Sequence, residues 1–389
     1  MEKKAILLFI LIFSIYFLTK ANPTPYNYFV RLADAFLHFR LYLLENPPWL
    51  NELVPFEGKY YVIYPPMPAL ISIPFVIFKG LNADQTLISI LIGSLNGVLV
   101  YFLVKKFLQN ESKTAFWMVI LFSFGTIYWY LATVGSAWYF AHIVAAFFLL
   151  LALNELFGKK RPFLIGLFLG AAYWSRLPTI LSSLFFLILL LKENEKIFSK
   201  NNFWNILKFT LGVSAFLVLN FTYNWLRFGT IFDMAYFLRP NLLNEPWFNK
   251  GLFSLSYIPS HLKIIFLKSP NILPKFPYFQ PSWSGMAIWL TTPAFIFALF
   301  YTLKHFKEKI TLACWSAILP IGILVMSHGG TGFIQFGYRY ATDFYPFLFL
   351  LTFLEMKNLK PYHKFFIIIS VLVNLWGVVS INKFGFVDW

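Results

Sequence analysis

The chain has 389 residues, of which 59% are hydrophobic, 21% aromatic and only 12% charged, whereas a soluble domain carries roughly a quarter charged residues. Phe alone contributes 49 residues, and apolar runs of about 18 or more recur along the whole length, as transmembrane helices require. This arithmetic excludes disordered, collagen-like, coiled-coil and disulfide-rich secreted chains as well as soluble Rossmann or barrel enzymes, and it points to an all-α, polytopic membrane protein. The 32 Lys+Arg against 16 Asp+Glu give a net charge of +16. In a soluble protein that excess would suggest nucleic acid. Here the basic residues cluster at the ends of apolar runs and read as topology signals and lipid-phosphate contacts instead. The single Cys314 lies in an apolar stretch, so neither an intrachain disulfide nor a cysteine metal site can be built.

Lys3 and Lys4 precede an apolar run over 5–18, and Lys20-Ala21-Asn22-Pro23 offers no small-x-small cleavage site. The segment reads as an uncleaved first helix with a cytoplasmic amino terminus. Further spans are expected at about 85–104, 114–132, 137–156, 204–225, 284–303, 310–327, 340–355 and 364–380. The stretch 163–191 is interrupted by Arg176 and Pro178, so two half-helices meeting near the outer face are expected, because one straight helix would strand the guanidinium in lipid. The tally is about eleven crossings, with the carboxyl terminus outside. The chain reads as one integral-membrane domain over 1–389, with two long external segments at about 21–83 and about 226–283. Both lie on one face, which is the expected active face. No internal repeat appears, so an inverted-repeat transporter gains no support.

Residues 29–45 predict an amphipathic helix on the membrane surface. Phe29, Leu32, Ala33, Phe36 and Leu43 share one face; Arg31, Asp34, His38, Tyr42 and Glu45 share the other. Arg40 would fall on the apolar side and have to snorkel. Glu57-Gly58-Lys59 suits a tight turn between short extended aromatic strands. Pro65, Pro66 and Pro68 suit the start of a short helix over 67–79 that is too short to span.

At this point the sequence resembles a known family. Arg31-Leu32-Ala33-Asp34-Ala35-Phe36-Leu37-His38, then Asn51-Glu52-Leu53-Val54, then Glu57-Gly58-Lys59-Tyr60-Tyr61 ahead of Tyr64-Pro65-Pro66-Met67-Pro68-Ala69-Leu70 look like the first external loop of a GT-C superfamily of integral-membrane glycosyltransferases. The similarity is to the family of dolichyl-phosphate-mannose–protein mannosyltransferases and lipid A aminoarabinose transferases. It extends through Val134-Gly135-Ser136-Ala137-Trp138-Tyr139-Phe140-Ala141-His142, Gly166-Leu167-Phe168-Leu169-Gly170, Ser175-Arg176-Leu177-Pro178 and Gln335-Phe336-Gly337-Tyr338-Arg339-Tyr340 with Asp343. The resemblance implies a GT-C-like fold and transfer of a sugar from a polyprenyl-phosphate donor on the external face to an envelope glycan, glycolipid or protein acceptor. Relatives commonly carry an Asp soon after the first span, but residues 22–28 contain no carboxylate. In the closer family the acid precedes the Leu-Val of the loop, where this chain has Glu52.

Such a transfer needs a base for the acceptor hydroxyl and cations for the departing phosphate. The external carboxylates are Asp34, Glu45, Glu52, Glu57, Asp84, Asp233, Glu245, Asp343 and Asp388. Glu52 ranks first as catalytic base from its loop context, and Asp34 second from its polar stripe. Each also has an ordinary reading as a solvated or salt-bridged group. Arg176 and Arg339 lie within or beside apolar helices and are the first candidates for the donor phosphate. A structural ion pair would explain them equally well, and Asp343, four residues after Arg339, is placed to neutralise it on a helix. Lys59 and Arg227 are weaker phosphate candidates. His38, Tyr64 and His328, the last in a Gly-rich turn, are candidates to line the substrate cavity. The six histidines show no metal-ligand spacing, so no metal motif is assigned; a divalent cation held by Asp34 or Glu52 with a phosphate stays open as a cofactor. Aromatics in and just before 226–283, among them Trp225, Trp247, Tyr257, Phe279 and Trp283, suit an interfacial belt or an acceptor-side lid. Asn110-Glu111-Ser112 matches a glycosylation sequon but falls on the cytoplasmic side. The alternative from another class is a transporter or flippase for a lipid-linked substrate, and the blander one a membrane scaffold.

Overall fold

The structure, a computed structural model, describes residues 3–108, 112–192, 196 and 199–387. Asp388 and the Asn110-Glu111 part of the sequon lie outside the described residues. In chain order, α1 (Lys3–Thr19) and α2 (Tyr28–Leu37) precede a hairpin of β1 (Leu53–Phe56) and β2 (Lys59–Val62), followed by α3 (Met67–Lys79), α4 (Gln85–Lys105), α5 (Ser112–Phe124), α6 (Tyr128–Val134) and α7 (Ala137–Leu156). Then come α8 (Pro162–Tyr173), α9 (Ser183–Leu190), α10 (Lys200–Phe228) and the short α11 (Ala235–Leu238) and α12 (Ile258–Leu267). A two-residue pairing of β3 (Asn271–Ile272) with β4 (Phe279–Gln280) leads to α13 (Ile288–Thr291), α14 (Ile296–Lys304), α15 (Lys309–Met326), α16 (Tyr345–Glu355) and α17 (Pro361–Asn382).

Five helices, α4, α7, α10, α15 and α17, are long and apolar enough to cross a membrane, and α5 with α6 adds a sixth if that pair, bent by 54°, is one span. The first expected span is the single 17-residue α1, and the other remaining stretches are built from shorter pieces. The stretch 163–191 is broken where sequence placed the break: α8 ends at Tyr173, Arg176 is extended, and a 3₁₀ turn at Leu177–Ser182 leads into α9. The 284–303 span divides into α13, a 3₁₀ turn at Pro293–Phe295 and α14. That of 340–355 becomes a 3₁₀ turn at Arg339–Asp343 followed by α16. The molecule is otherwise helical, as composition predicted.

Helices α4 and α7 form the centre. They pack on each other and are mostly buried, whereas most residues of α10 and α17 are not buried. Helix α8 joins α7 to α10. Its contact with α10 is a glycine-to-backbone seam: a Cβ at Gly166 would stand 2.1 Å from the Phe209 carbonyl, and one at Gly212 would stand 2.2 Å from that of Phe163. With no hydrophobic drive between helices in lipid, such close backbone approach is what gains dispersion energy.

The segment at about 21–83 departs from expectation in one respect. The helix that begins near Phe29 ends at Leu37, not near Glu45. Phe39 turns the chain with φ +56, and the Leu43 amide donates to the Tyr60 carbonyl at 2.8 Å. Pairing with the hairpin edge therefore overrides continued helical periodicity, which places Arg40, Tyr42 and Glu45 off the helix. Within α2 the apolar face behaves as read, with Phe29, Leu32 and Ala33 fully buried. The hairpin turns through Glu57 and Gly58, with φ +47 and +72, and Phe56 opposite Lys59. Two consecutive positive φ values are the signature of a turn that matches strand twist. Helix α3 spans 67–79 as expected.

Substituting Gly212 by Val should separate α8 from α10, because the new atoms meet backbone and not a movable side chain. We expect a loss of about 1–3 kcal/mol, read as a lower unfolding temperature of the purified protein in detergent, with Gly322→Ala, where an added Cβ meets only side-chain atoms at 3.9 Å, as the reference substitution.

Candidate functional site

Three distant parts of the chain meet at Asp343. Its carboxylate accepts from Arg176 Nε at 3.2 Å and Nη2 at 2.9 Å, and lies 2.8 Å from His142 Nδ1. The Asp343 side chain is fully buried, that of His142 nearly so, and that of Arg176 mostly. The expectation that Asp343 neutralises Arg339 is therefore corrected. Residues 339–343 form a 3₁₀ turn, in which positions four apart do not stack as on an α-helix, and Asp343 instead turns inward to the break between α8 and α9. The backbone of the turn is fixed from α6 and α7: Tyr128 donates to the Thr342 carbonyl at 2.7 Å, and Tyr130 and Tyr139 both donate to that of Ile334.

Arg339 occupies the other side of this turn. Its side chain is buried, packs 5.3 Å from the Tyr139 ring and 5.1 Å from the Tyr340 ring, and donates one hydrogen bond, at 3.2 Å, to the Phe333 carbonyl. Its Nε has no hydrogen-bond partner, and among the described residues no carboxylate stands within ion-pair distance of it. Arg176 also stacks toward Tyr340, at 5.7 Å, so both guanidinium groups flank one tyrosine.

Glu52 faces these groups from the residue before β1. Its Oε2 accepts from Trp138 Nε1 at 2.8 Å, its Oε1 lies 3.5 Å from Arg239 Nη1, and its backbone amide donates to the Tyr28 hydroxyl at 3.0 Å. Partial burial raises its carboxyl above the ordinary glutamate range. Arg239, the Trp138 hydrogen bond and Arg339 pull it back down, and Glu245 pushes it up. Arg339 is thus close enough to act on Glu52 even without contact. His328 completes the rim: its ring lies 5.9 Å from Tyr340 and between Phe248 and Phe253. Burial holds it below the usual histidine range; the Gly330 carbonyl raises it, and Arg176 and Arg339 lower it.

The residues expected from sequence divide accordingly. Glu52, Arg176, Arg339 and His328 converge. Asp34 does not join them: it is paired with His38 at 3.7 Å, and the His38 side chain is exposed. Lys59 is exposed beside the hairpin turn, 5.0 Å from the Tyr42 ring. Tyr64 is buried against Tyr28 and Phe29. Arg227 is structural, donating to the Val62 carbonyl at 3.1 Å and to Asn224 at 2.7 Å and so tying α10 to the hairpin. Asp84 caps α4, accepting from the Thr86 and Leu87 amides. Sequence reasoning passed over Arg239, Tyr340 and the acid-binding role of Trp138, although Trp138, His142 and Tyr340 stand inside quoted motifs. Arg239 carries no local signal beyond being a cation in the second external segment. Among the described residues no group of three or more His, Cys, Asp or Glu is arranged to hold a metal ion, and Asp34 and Glu52 belong to separate sets of contacts.

No family model matches the chain, and no curated protein matches it. Among solved structures, the chain is similar to the crystal structure of the Archaeoglobus fulgidus oligosaccharyltransferase in the apo form, with a TM-score of 0.54 and 14% sequence identity, over 97% of this chain and 55% of that one. The chain therefore spans about half the length of that protein. The likeness is one of fold and extends over nearly all of the present chain.

Proposed function

We propose that the chain is a GT-C-type glycosyltransferase that moves a sugar from a polyprenyl-phosphate donor to an acceptor at the external face of the membrane. The observation that carries this reading is that one half-buried carboxylate, Glu52, feels the charge of the buried Arg339, which packs beside Tyr340 and has no carboxylate within ion-pair distance among the described residues. The oligosaccharyltransferase likeness supports a glycosyltransferase of this architecture in general. The grouping of these charges around the first external loop favours one-sided access over a transport path.

In this reading Glu52 accepts the proton of the acceptor hydroxyl as its oxygen bonds to the sugar C1, and the bond from C1 to the phosphate oxygen breaks. The leaving phosphate is already a weak base and needs no general acid. Trp138 holds one oxygen of Glu52 and leaves the other facing Arg239. Arg339 contributes the charge that the phosphate meets. Arg176, with its charge compensated by Asp343, flanks Tyr340 and adds a second cation. Asp34 is the second base in this proposal only if Glu52 fails the first test below, and Lys59 is left to guide anionic headgroups from the hairpin tip.

Replacing Glu52 by Gln should lower transfer by about 10²–10⁴-fold, measured with labelled polyprenyl-phosphate sugars and membrane glycan acceptors, while the thermal unfolding profile stays as in the parent. Full activity in that variant removes Glu52 from the mechanism. Because a base works ionised and burial raises this carboxyl, activity should fall on acidification at a pH above the ordinary carboxylate range of about 4.3, and rise as pH increases through that region.

Replacing Asp343 by Asn leaves Arg176 without its counter-charge in a buried setting, which costs about 3–5 kcal/mol. A double variant, Asp343→Asn with Arg176→Met, should recover much of the lost unfolding temperature. Recovery would separate the structural role of the pair from any part in transfer, since the double variant can then be assayed as a folded protein.

A further inference from the structure

The second external segment places a symmetrical chain of contacts against Glu52. Glu52 has one oxygen on the Trp138 indole at 2.8 Å and the other 3.5 Å from Arg239 Nη1. Glu245 repeats the arrangement, with one oxygen on the Trp247 indole at 2.8 Å and the other 3.0 Å from Arg239 Nη2. A single guanidinium is therefore shared between two carboxylates that are each anchored by a tryptophan. The sharing is unequal: Arg239 is hydrogen-bonded to Glu245 and only within ion-pair distance of Glu52.

We propose that Arg239 is a positioning residue that sets the basicity of Glu52, and that Glu245 determines how much of the Arg239 charge Glu52 feels. A bidentate pair between Arg239 and Glu52 would occupy both carboxylate oxygens and depress their affinity for a proton. Drawing Arg239 toward Glu245 prevents this. It leaves Oε1 of Glu52 without a close hydrogen bond and therefore able to receive a proton. The remaining groups facing Glu52 are Arg339 from the 3₁₀ turn, Tyr28 from α2, and Tyr236 from α11, besides Trp138 from α7. Of these only Arg339 carries a fixed charge, so the Arg239–Glu245 pair is the adjustable part of the surroundings. The inference deepens the reading of Glu52 as base and rests on it for its catalytic meaning, but the linkage itself concerns the protonation of Glu52 and can be measured without knowing the sugar.

The test uses the full chain in lipid nanodiscs and dicyclohexylcarbodiimide, which modifies protonated carboxyl groups in apolar surroundings. The extent of modification at Glu52 is followed by peptide mass spectrometry as a function of pH. Relative to the parent, Arg239→Gln should move the midpoint of modification upward by about one pH unit, and Glu245→Gln should move it downward as Arg239 turns fully to Glu52. Arg239→Lys, which keeps the charge but not the fork, should lie between the parent and Arg239→Gln. Unchanged midpoints in both Gln variants, or shifts in the same direction, would overturn the proposal. Should Arg239→Gln unfold, Glu245→Gln decides alone, because Glu245 and Trp247 lie toward the surface: a downward shift supports the linkage and a static or upward midpoint refutes it. Failure here is distinct from failure of Glu52 as base, which shows only as full transfer activity in Glu52→Gln.

Discussion

The architecture of the site depends on one buried carboxylate. Asp343 holds Arg176 by two hydrogen bonds and His142 by one, so that α7, the break between α8 and α9, and the turn before α16 are fixed to one another at a single point. A guanidinium in an apolar interior is costly by itself, and pairing it with two oxygens in fork geometry is the arrangement that compensates best. The break in 163–191 is then intelligible. A continuous helix would carry Arg176 past this meeting point, whereas an extended residue followed by Pro178 delivers its side chain to it.

On that fixed frame the two long segments at about 21–83 and about 226–283 add the groups that can respond to a ligand. The hairpin brings Glu52 over α7 through Trp138, and Arg227 joins the same hairpin to α10. The second segment contributes Arg239, and the Gly-rich turn is bound to it, with the Ser254 amide donating to the Ser327 carbonyl at 2.7 Å and that of Gly329 to Leu252 at 3.0 Å. His328 is thereby carried to the edge of Tyr340. Loops supply the chemistry and buried helix ends supply their placement, the usual division of labour where long loops meet a rigid scaffold.

Much of this was legible in sequence because it rests on local chemistry. Gly58 needed a positive φ, Pro66 and Pro68 suited a helix start, and Arg176 with Pro178 inside an apolar run announced a broken span. The end of α2 was not legible, since the periodicity continues through Leu43 and only the non-local bond to Tyr60 diverts the chain. The partner of Asp343 was misread for a similar reason: spacing offered Arg339, while the 3₁₀ geometry and a residue 167 positions away decided otherwise. Arg239 was missed because its meaning lies wholly in being between two acids that sequence sets far apart. Glu52 ranked ahead of Asp34 on loop context alone, and what further distinguishes them is three-dimensional. One meets an exposed histidine on its own helix, the other an indole and a guanidinium from two other elements.

The charges around Tyr340 also explain why the site tolerates so many ions in so apolar a chain. Arg176, Arg239 and Arg339 are matched by Glu52, Glu245 and Asp343, so the set is neutral as a whole and attraction within it offsets part of the desolvation cost of each ion. The matching is uneven within the set. Asp343 is committed to Arg176 in the deepest position, Glu245 holds most of Arg239 near the surface, and Glu52 and Arg339 sense each other without contact. The ions that stabilise the fold are therefore those buried and fully bonded. The two left with incomplete partners, Glu52 and Arg339, are the ones whose electrostatic needs an incoming hydroxyl and an incoming anion would meet.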